Sequence, residues 1–513
     1  MSNPRALLQS LFVYLVCLPL AVYLGYLLAN PNDQATFFTV ATLLMVLSIP
    51  LLLRYHYPLL LLSWNMSAVL FFLPGQPQLW LAITALSFGI SVAQRMMDKR
   101  TQFIHTPEIM WPLVILIVVI LVTAKATGGI GLRSMGGDVY GGRRYVQLIC
   151  AIIGFFAISW HRIPPERAKL YVALFFLGGV TSFIGDLYMV AGPLLRPIFL
   201  LFPPTGTGFE GLSVERTRFI GLTGASGALF AFMLAKYGVR GLFASGRPLR
   251  AVCFLFFCAA GFLGGFRSLI ISFILVFSLQ FLLEGMHRTR LMPAFLVGAL
   301  LLAVVIIPIL PRMPATFQRA LAFLPVPIDP TIRRDAQGSS EWRLRMWKVV
   351  LPQVPQYLLL GKGYAMSQDD FAIARQPQPG FEENWGATLA GDYHNGPLSV
   401  IIPFGIWGAA AFLWFLIAAL RVLYRNYRYG NPQFKTLNTF LLATFVIRAF
   451  MFFVIVGGFY GDMMYFVGIV ALNISINGGV ARPLRQPLVE VQTVTPFPSV
   501  LARSPRFAST TRQ

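Results

Sequence analysis

His394 and Asn395, in Gly391-Asp392-Tyr393-His394-Asn395-Gly396-Pro397-Leu398, stand where the longest polar stretch of the chain gives way to an apolar run. Imidazole can take up and return a proton near neutral pH. A histidine at the mouth of an apolar segment therefore marks a place for chemistry at a water boundary. Two arginines occupy comparable positions: Arg218 opens an apolar run in Glu215-Arg216-Thr217-Arg218-Phe219, and Arg267 sits in Gly264-Gly265-Phe266-Arg267-Ser268, between two runs with almost no loop. Guanidinium stays charged and makes paired hydrogen bonds to phosphate, so arginines held at a lipid boundary suit a lipid diphosphate headgroup. Snorkelling to the interface is the simpler alternative for either one.

The elements that must position these residues follow from composition. With 57% hydrophobic and 12% charged residues, the 513-residue chain lacks the polar surface of a water-soluble globule. Apolar windows near the ~20 residues that cross about 30 Å of hydrocarbon recur along it. They predict an all-α polytopic membrane protein of twelve to fourteen helices, with fourteen windows counted, two of them at 36 to 53 and 57 to 73. Continuous rather than alternating apolar runs favour helices over a β-barrel. The first run, from about 9 to 29, lacks a cleavage-like site and reads as a retained helix rather than a signal peptide. The organisation expected is helices one to seven over 1–217, helices eight to eleven with the outer arginines over 218–310, a large outer loop over 311–396, helices twelve to fourteen over 397–478, and a disordered basic tail over 479–513.

Orientation comes from the short basic loops. Arg54, Arg95, Lys99, Arg100, Arg162, Arg167, Lys236, Arg240, Arg288, Arg290, Arg425 and Arg428 all fall on one side, which the positive-inside rule makes cytoplasmic. Both termini then lie inside, and so do His56, His105, His161 and His287, leaving His394 as the outer histidine. The net charge of +22 is spread over these loops and the tail rather than gathered in a nucleic-acid module, so no nucleic-acid partner is expected. The tail is suited to touching anionic membrane lipid. Cys17, Cys150, Cys253 and Cys258 lie inside apolar runs and read as small hydrophobes.

Positive charge on the outer side needs another explanation than insertion. It occurs in Lys125 to Arg133, in Arg143-Arg144, from Arg196 to Arg218 and in the large loop. Within that loop, Ala315 to Leu324 has helical spacing, and a serine cap at Ser339 predicts a helix through Trp342, Arg343, Trp347 and Val350 whose Trp and Arg meet the membrane interface. Gly361-Lys362-Gly363-Tyr364 lacks the upstream glycine and following Ser or Thr of a phosphate loop and reads as a tight turn. Asp186 and Arg448 lie within apolar runs, where a charge must be paired or functional. A structural pairing is the first expectation for both. The string Gly221-Leu222-Thr223-Gly224-Ala225-Ser226-Gly227 predicts close helix packing.

The run His394-Asn395-Gly396-Pro397-Leu398, followed by Gly405 and Gly408, resembles the signature of the O-antigen ligase and O-antigen polymerase superfamily, in which a His-Asn pair ends a large periplasmic loop. The order Arg218, Arg267, long loop, His394 resembles that family too, as does the Trp/Arg helix followed by Leu360-Gly361-Lys362-Gly363-Tyr364. The resemblance covers roughly residues 215 to 410. It departs at Pro403, where the family usually carries an acidic residue; Asp392 or Asp462 are the nearby substitutes. The resemblance implies a GT-C-like bacterial inner-membrane glycosyltransferase that takes glycan from an undecaprenyl-diphosphate carrier at the periplasmic face. The acceptor would be another glycan, lipid A core or protein, and no cofactor or metal would be needed. On that resemblance His394 is the general base, Arg218, Arg267 and Arg216 hold the diphosphate, and Asn395 and Tyr393 orient sugar or imidazole. A lipid-linked glycan flippase is the rival; the large outer loop, the absence of an evident repeat and the few midplane charges argue against it. A non-enzymatic scaffold would leave the outer arginines unexplained.

Overall fold

The computed structural model describes residues 15, 17–23, 25–26, 34–73, 75–99, 103–130, 141–205, 219–244, 246–366, 391 and 393–483. Arg216, Arg218 and Asp392 lie outside the described residues, as do 367–390 and the tail from 484 onward. Among the described residues there is no strand, and one isolated antiparallel bridge joins Val69 to Gln78.

The helices are α1 (Gln34–Trp64), α2 (Leu79–Met97), α3 (Pro107–Ala126), α4 (Gly142–Ser159), α5 (Pro165–Asp186, broken by tight 3-10 turns), α6 (Ile220–Leu242), α7 (Pro248–Ala260), α8 (Arg267–Leu283), α9 (Leu291–Ile309), α10 (Ala315–Ala320), α11 (Pro330–Val350), α12 (Gly396–Tyr429), α13 (Lys435–Phe450) and α14 (Phe459–Asn477). Nine described helical segments are long and apolar enough to cross a bilayer, and the stretches around α7 and α8 are shorter apolar helices. The chain is an all-α, multi-pass membrane protein. Helix α1 runs unbroken from the first of two expected windows into the second, ending at Trp64, so the count of fourteen does not follow from the described helices. The reason is local: Arg54-Tyr55-His56 supplies a charge between the windows but no turn residue, and the helix continues through it.

The aromatic core sits where α4, α12, α13 and α14 meet. Phe155, Phe415, Phe440, Phe445, Phe459 and Phe466 are among its fully buried side chains. Helix α9 has no buried residue and exposes a row of Leu, Val and Ile, as expected of a helix that faces lipid. His56 and His161 lie together, bonded to Ser87 and Ser91.

Asp186 and Arg448 do not pair with each other. The Asp186 carboxylate accepts the N–H groups of Gly221 (3.0 Å) and Leu222 (2.6 Å) and the Thr205 hydroxyl, so it caps the start of α6 from the end of α5. A helix N-terminus presents unpaired N–H groups and the positive end of its dipole, which offsets the cost of burying the carboxylate. Gly221 permits this approach, since a Cβ there would lie 2.1 Å from the Ser182 carbonyl oxygen. Asp186→Ala leaves one buried and one part-buried N–H without this acceptor, at a cost of about 2–4 kcal/mol. Thermal unfolding of the purified variant should show a midpoint several degrees lower, and an unchanged midpoint would contradict the capping role.

Candidate active site

The outer element is built on α11. It begins at Pro330, with Asp329 as N-cap accepting the Thr331 N–H at 2.7 Å, so the cap expected at Ser339 is corrected. An Asp-Pro pair fits an N-cap and first turn better than a mid-loop serine, because proline has no N–H to leave unsatisfied there. Ser339 and Ser340 instead lie inside the helix and bind arginines. Arg319 Nη2 of α10 donates to Ser339 Oγ (3.0 Å), and Arg267 Nη2, at the first residue of α8, donates to Ser340 Oγ (3.3 Å). One turn further along, Trp342 lies 5.4 Å from the His394 ring, centroid to centroid. Trp347 donates its indole N–H to the Tyr393 carbonyl at 2.8 Å. Below them Met346 and Val350 pack with Tyr393, Leu398 and Ile402 in a separate buried cluster. The spacing of 339, 342, 346, 347 and 350 puts all these contacts on one helical face, turned toward His394 rather than toward a lipid interface.

His394 is held from both sides. Tyr393 is 3% exposed, and burial pushes its hydroxyl well above the ordinary phenol range, so it stays neutral. Asn395 caps α12, its side-chain oxygen accepting the Leu398 N–H at 3.0 Å. Between them His394 adopts a φ of 46°, in the left-handed region that side chains other than glycine rarely enter. The cost is on the order of 1–3 kcal/mol, accepted where the surroundings fix the backbone. Here those surroundings are the buried Tyr393 and the capped helix.

His394 lines a cavity of about 530 Å³ with Arg448, Asp462, Tyr460, Ser268 and Thr223. Arg448 forms an ion pair with Asp462, whose other oxygen accepts the Gly458 N–H at 2.9 Å, and lies 4.4 Å from the centre of the Tyr465 ring. The starts of α12 and α14 are tied together through Ser399, whose hydroxyl accepts the Phe459 N–H at 3.0 Å. Arg448, read from sequence only as a charge needing a partner, is thus a wall of the His394 cavity.

Three guanidiniums gather at Arg267, whose chain neighbours Phe266 and Ser268 line the cavity. Arg319 and Arg343 act electrostatically on Arg267, with Asp335 as the opposing acid, and Asp335 Oδ2 lies 2.7 Å from Arg319 Nε. Burial, then the neighbouring Arg319, holds the Arg343 guanidinium below its ordinary pKa. Arg319 and Arg343 thus lie near enough to Arg267 for like-charge repulsion to act on it, with Asp335 opposing them. Sequence reading named Arg267 here but neither Arg319 nor Arg343 as ligands. The signal available was their place on helices whose serines face Arg267.

The segment expected as a turn docks on α12. Lys362 N–H donates to Ile402 O (2.7 Å), Gly363 N–H to Pro403 O (2.9 Å) and Ile406 N–H to Leu358 O (2.7 Å). Helix α12 is kinked at Gly405, with φ 62°, which frees the carbonyls that receive these bonds. Gly361 is required by contact: a Cβ there would lie 2.2 Å from the Pro403 oxygen. Gly361-Lys362-Gly363 is therefore a backbone clamp against the kink, and Pro403 is part of it. Beyond the clamp, Tyr145 accepts the Tyr364 N–H at 2.7 Å, and Arg144 lies over Tyr460 and Tyr364.

With this geometry in place, comparison with known families gives one result. Residues 251–413 match the O-antigen ligase family model. The match supports the resemblance to the O-antigen ligase and polymerase superfamily. The matched stretch takes in Arg267, Arg319, Arg343, Trp342, His394 and the kink of α12, and leaves Arg448, Asp462 and Arg144 to other parts of the chain. No curated protein matches the chain.

Proposed function

We propose that the protein is an inner-membrane glycosyltransferase that transfers or polymerises glycan from an undecaprenyl-diphosphate carrier at the periplasmic face. The observation that carries this reading is His394 opening onto a large cavity beside three clustered guanidiniums, within the stretch that matches O-antigen ligase. In the proposed step the acceptor hydroxyl oxygen attacks the anomeric carbon of the donor sugar. The new glycosidic bond forms as the bond to the diphosphate oxygen breaks, and the lipid diphosphate leaves with the electron pair. His394 takes the hydroxyl proton, and Arg267 with Arg343 stabilises the negative charge gathering on the leaving group. Arg218 and Arg216 are proposed to add to that charge from the start of α6.

Asn395 and Tyr393 enter this step mainly through His394, whose backbone they fix. Trp342 packs on the imidazole and restricts its rotation. Arg448 and Asp462 give the far wall of the cavity a fixed polar surface for sugar hydroxyls. The acceptor is a second lipid-linked glycan, lipid A core or protein. The purified protein, given lipid-diphosphate glycan with each acceptor in turn, should form product with one of them. Turnover with none of them, accompanied by donor movement across the bilayer, would favour a flippase.

A further inference from the structure

A second cavity, of about 570 Å³, lies at the other end of α12. Beyond the kink at Gly405, the straight part of the helix from Ile406 to Arg425 alone rises roughly 30 Å at about 1.5 Å per residue, the thickness of a bilayer's hydrocarbon core. The cavity is therefore on the opposite membrane face from His394. Four segments meet there: the start of α3, the turn after α4, the end of α12 and the residues after α14. They bring together Arg162, Arg425 and Arg482, with His105 beside them and Glu108 as the acid. Glu108 is engaged by Arg425, at 2.8 and 3.1 Å. The charged set is thus cationic in sum.

Two features indicate a built site rather than a basic surface. Thr106, the N-cap residue of the 20-residue α3, is 2% exposed, lines the cavity and makes no side-chain capping bond; among the described residues its hydroxyl has no hydrogen-bond partner. A buried hydroxyl without a partner is costly and is ordinarily satisfied by water or a ligand. The segment carrying Arg482 is also pinned in place. Asn426 accepts the Ala481 N–H at 2.7 Å and donates to the Gly479 carbonyl at 3.1 Å.

We propose that this cavity binds a phosphate group, gripped by Arg162 and Arg482, with the Thr106 hydroxyl completing its hydrogen bonds. Arginine geometry and an unused hydroxyl donor together recognise phosphate oxygens. The same chemistry serves a phospholipid headgroup and free inorganic phosphate. The test titrates the full-length purified protein, at fixed ionic strength, with a short-chain phosphatidylglycerol, with phosphatidylcholine and with inorganic phosphate. Binding is read by stabilisation against heat, using Arg162→Gln and Thr106→Val, each first shown to match the wild-type midpoint without ligand. Phosphatidylglycerol binding assigns a lipid headgroup, and inorganic phosphate binding a soluble anion. In either case Arg162→Gln should weaken binding about tenfold, and Thr106→Val about three- to tenfold. No binding of any probe would overturn the site. So would a loss in Arg162→Gln with full binding by Thr106→Val, which marks diffuse surface charge.

Discussion

His394→Ala should lower the rate of glycan transfer by about 10²–10⁴-fold, the usual contribution of a positioned general base. The protein should still fold, because the residues that build this corner are others: Tyr393 and Leu398 in their buried cluster, Asn395 at the cap of α12, and Trp347 on the Tyr393 carbonyl. His394 itself carries the strained backbone, so the substitution removes the imidazole without removing a buried anchor. His394→Gly should fold at least as well, since glycine accepts a φ of 46° at little cost. It should be as inactive as alanine. Transfer assays on both variants, with thermal midpoints measured in parallel, separate a chemical role from a structural one. Activity that survives in a well-folded variant would remove His394 from the mechanism.

Arg267→Lys should cost about 10²-fold in the same assay, within the range for losing one fixed donor to a developing negative charge. The ammonium keeps the charge but loses the planar pair of donors that matches a phosphate. Arg267 also spans two elements, joining the first residue of α8 to Ser340 of α11, and a shorter-reaching, differently shaped cation cannot hold Ser340 and the diphosphate at once. Arg319→Lys is a useful contrast. Its guanidinium is already committed to Asp335 and Ser339, so its loss should disturb the placement of α11 and raise KM more than it lowers kcat. Equal activity of Arg267→Lys and wild type would reduce Arg267 to a charge at the membrane boundary.

How much of this was legible in the sequence depended on distance along the chain. His394 stands out at an abrupt change from polar to apolar residues, and Arg267 as a lone charge between two apolar runs, signals that need no knowledge of the fold. Arg319 and Arg343 carried no such signal. They become neighbours of Arg267 only once α10 and α11 fold back across more than fifty residues. Asp186 and Arg448 were visible as costly charges, but their partners are a helix terminus and Asp462, which periodicity cannot name. The α11 start was missed because Gly338-Ser339-Ser340 resembles a loop and cap, whereas in the fold those hydroxyls are spent on arginines. Pro403 looked like a departure from related proteins. In the structure its carbonyl receives Gly363 at the kink of α12, a backbone role that residue type alone does not reveal.

The central claim is that this protein breaks the bond between glycan and lipid diphosphate while forming a new glycosidic bond. The most direct measurement uses purified protein in vesicles loaded with a labelled undecaprenyl-diphosphate glycan and an acceptor, and counts free lipid diphosphate against new glycosidic bonds. One lipid diphosphate released for each bond formed, with both falling together in His394→Ala, is the expected result. Donor that crosses the bilayer with its diphosphate-sugar bond intact, equally in wild type and variant, would contradict it.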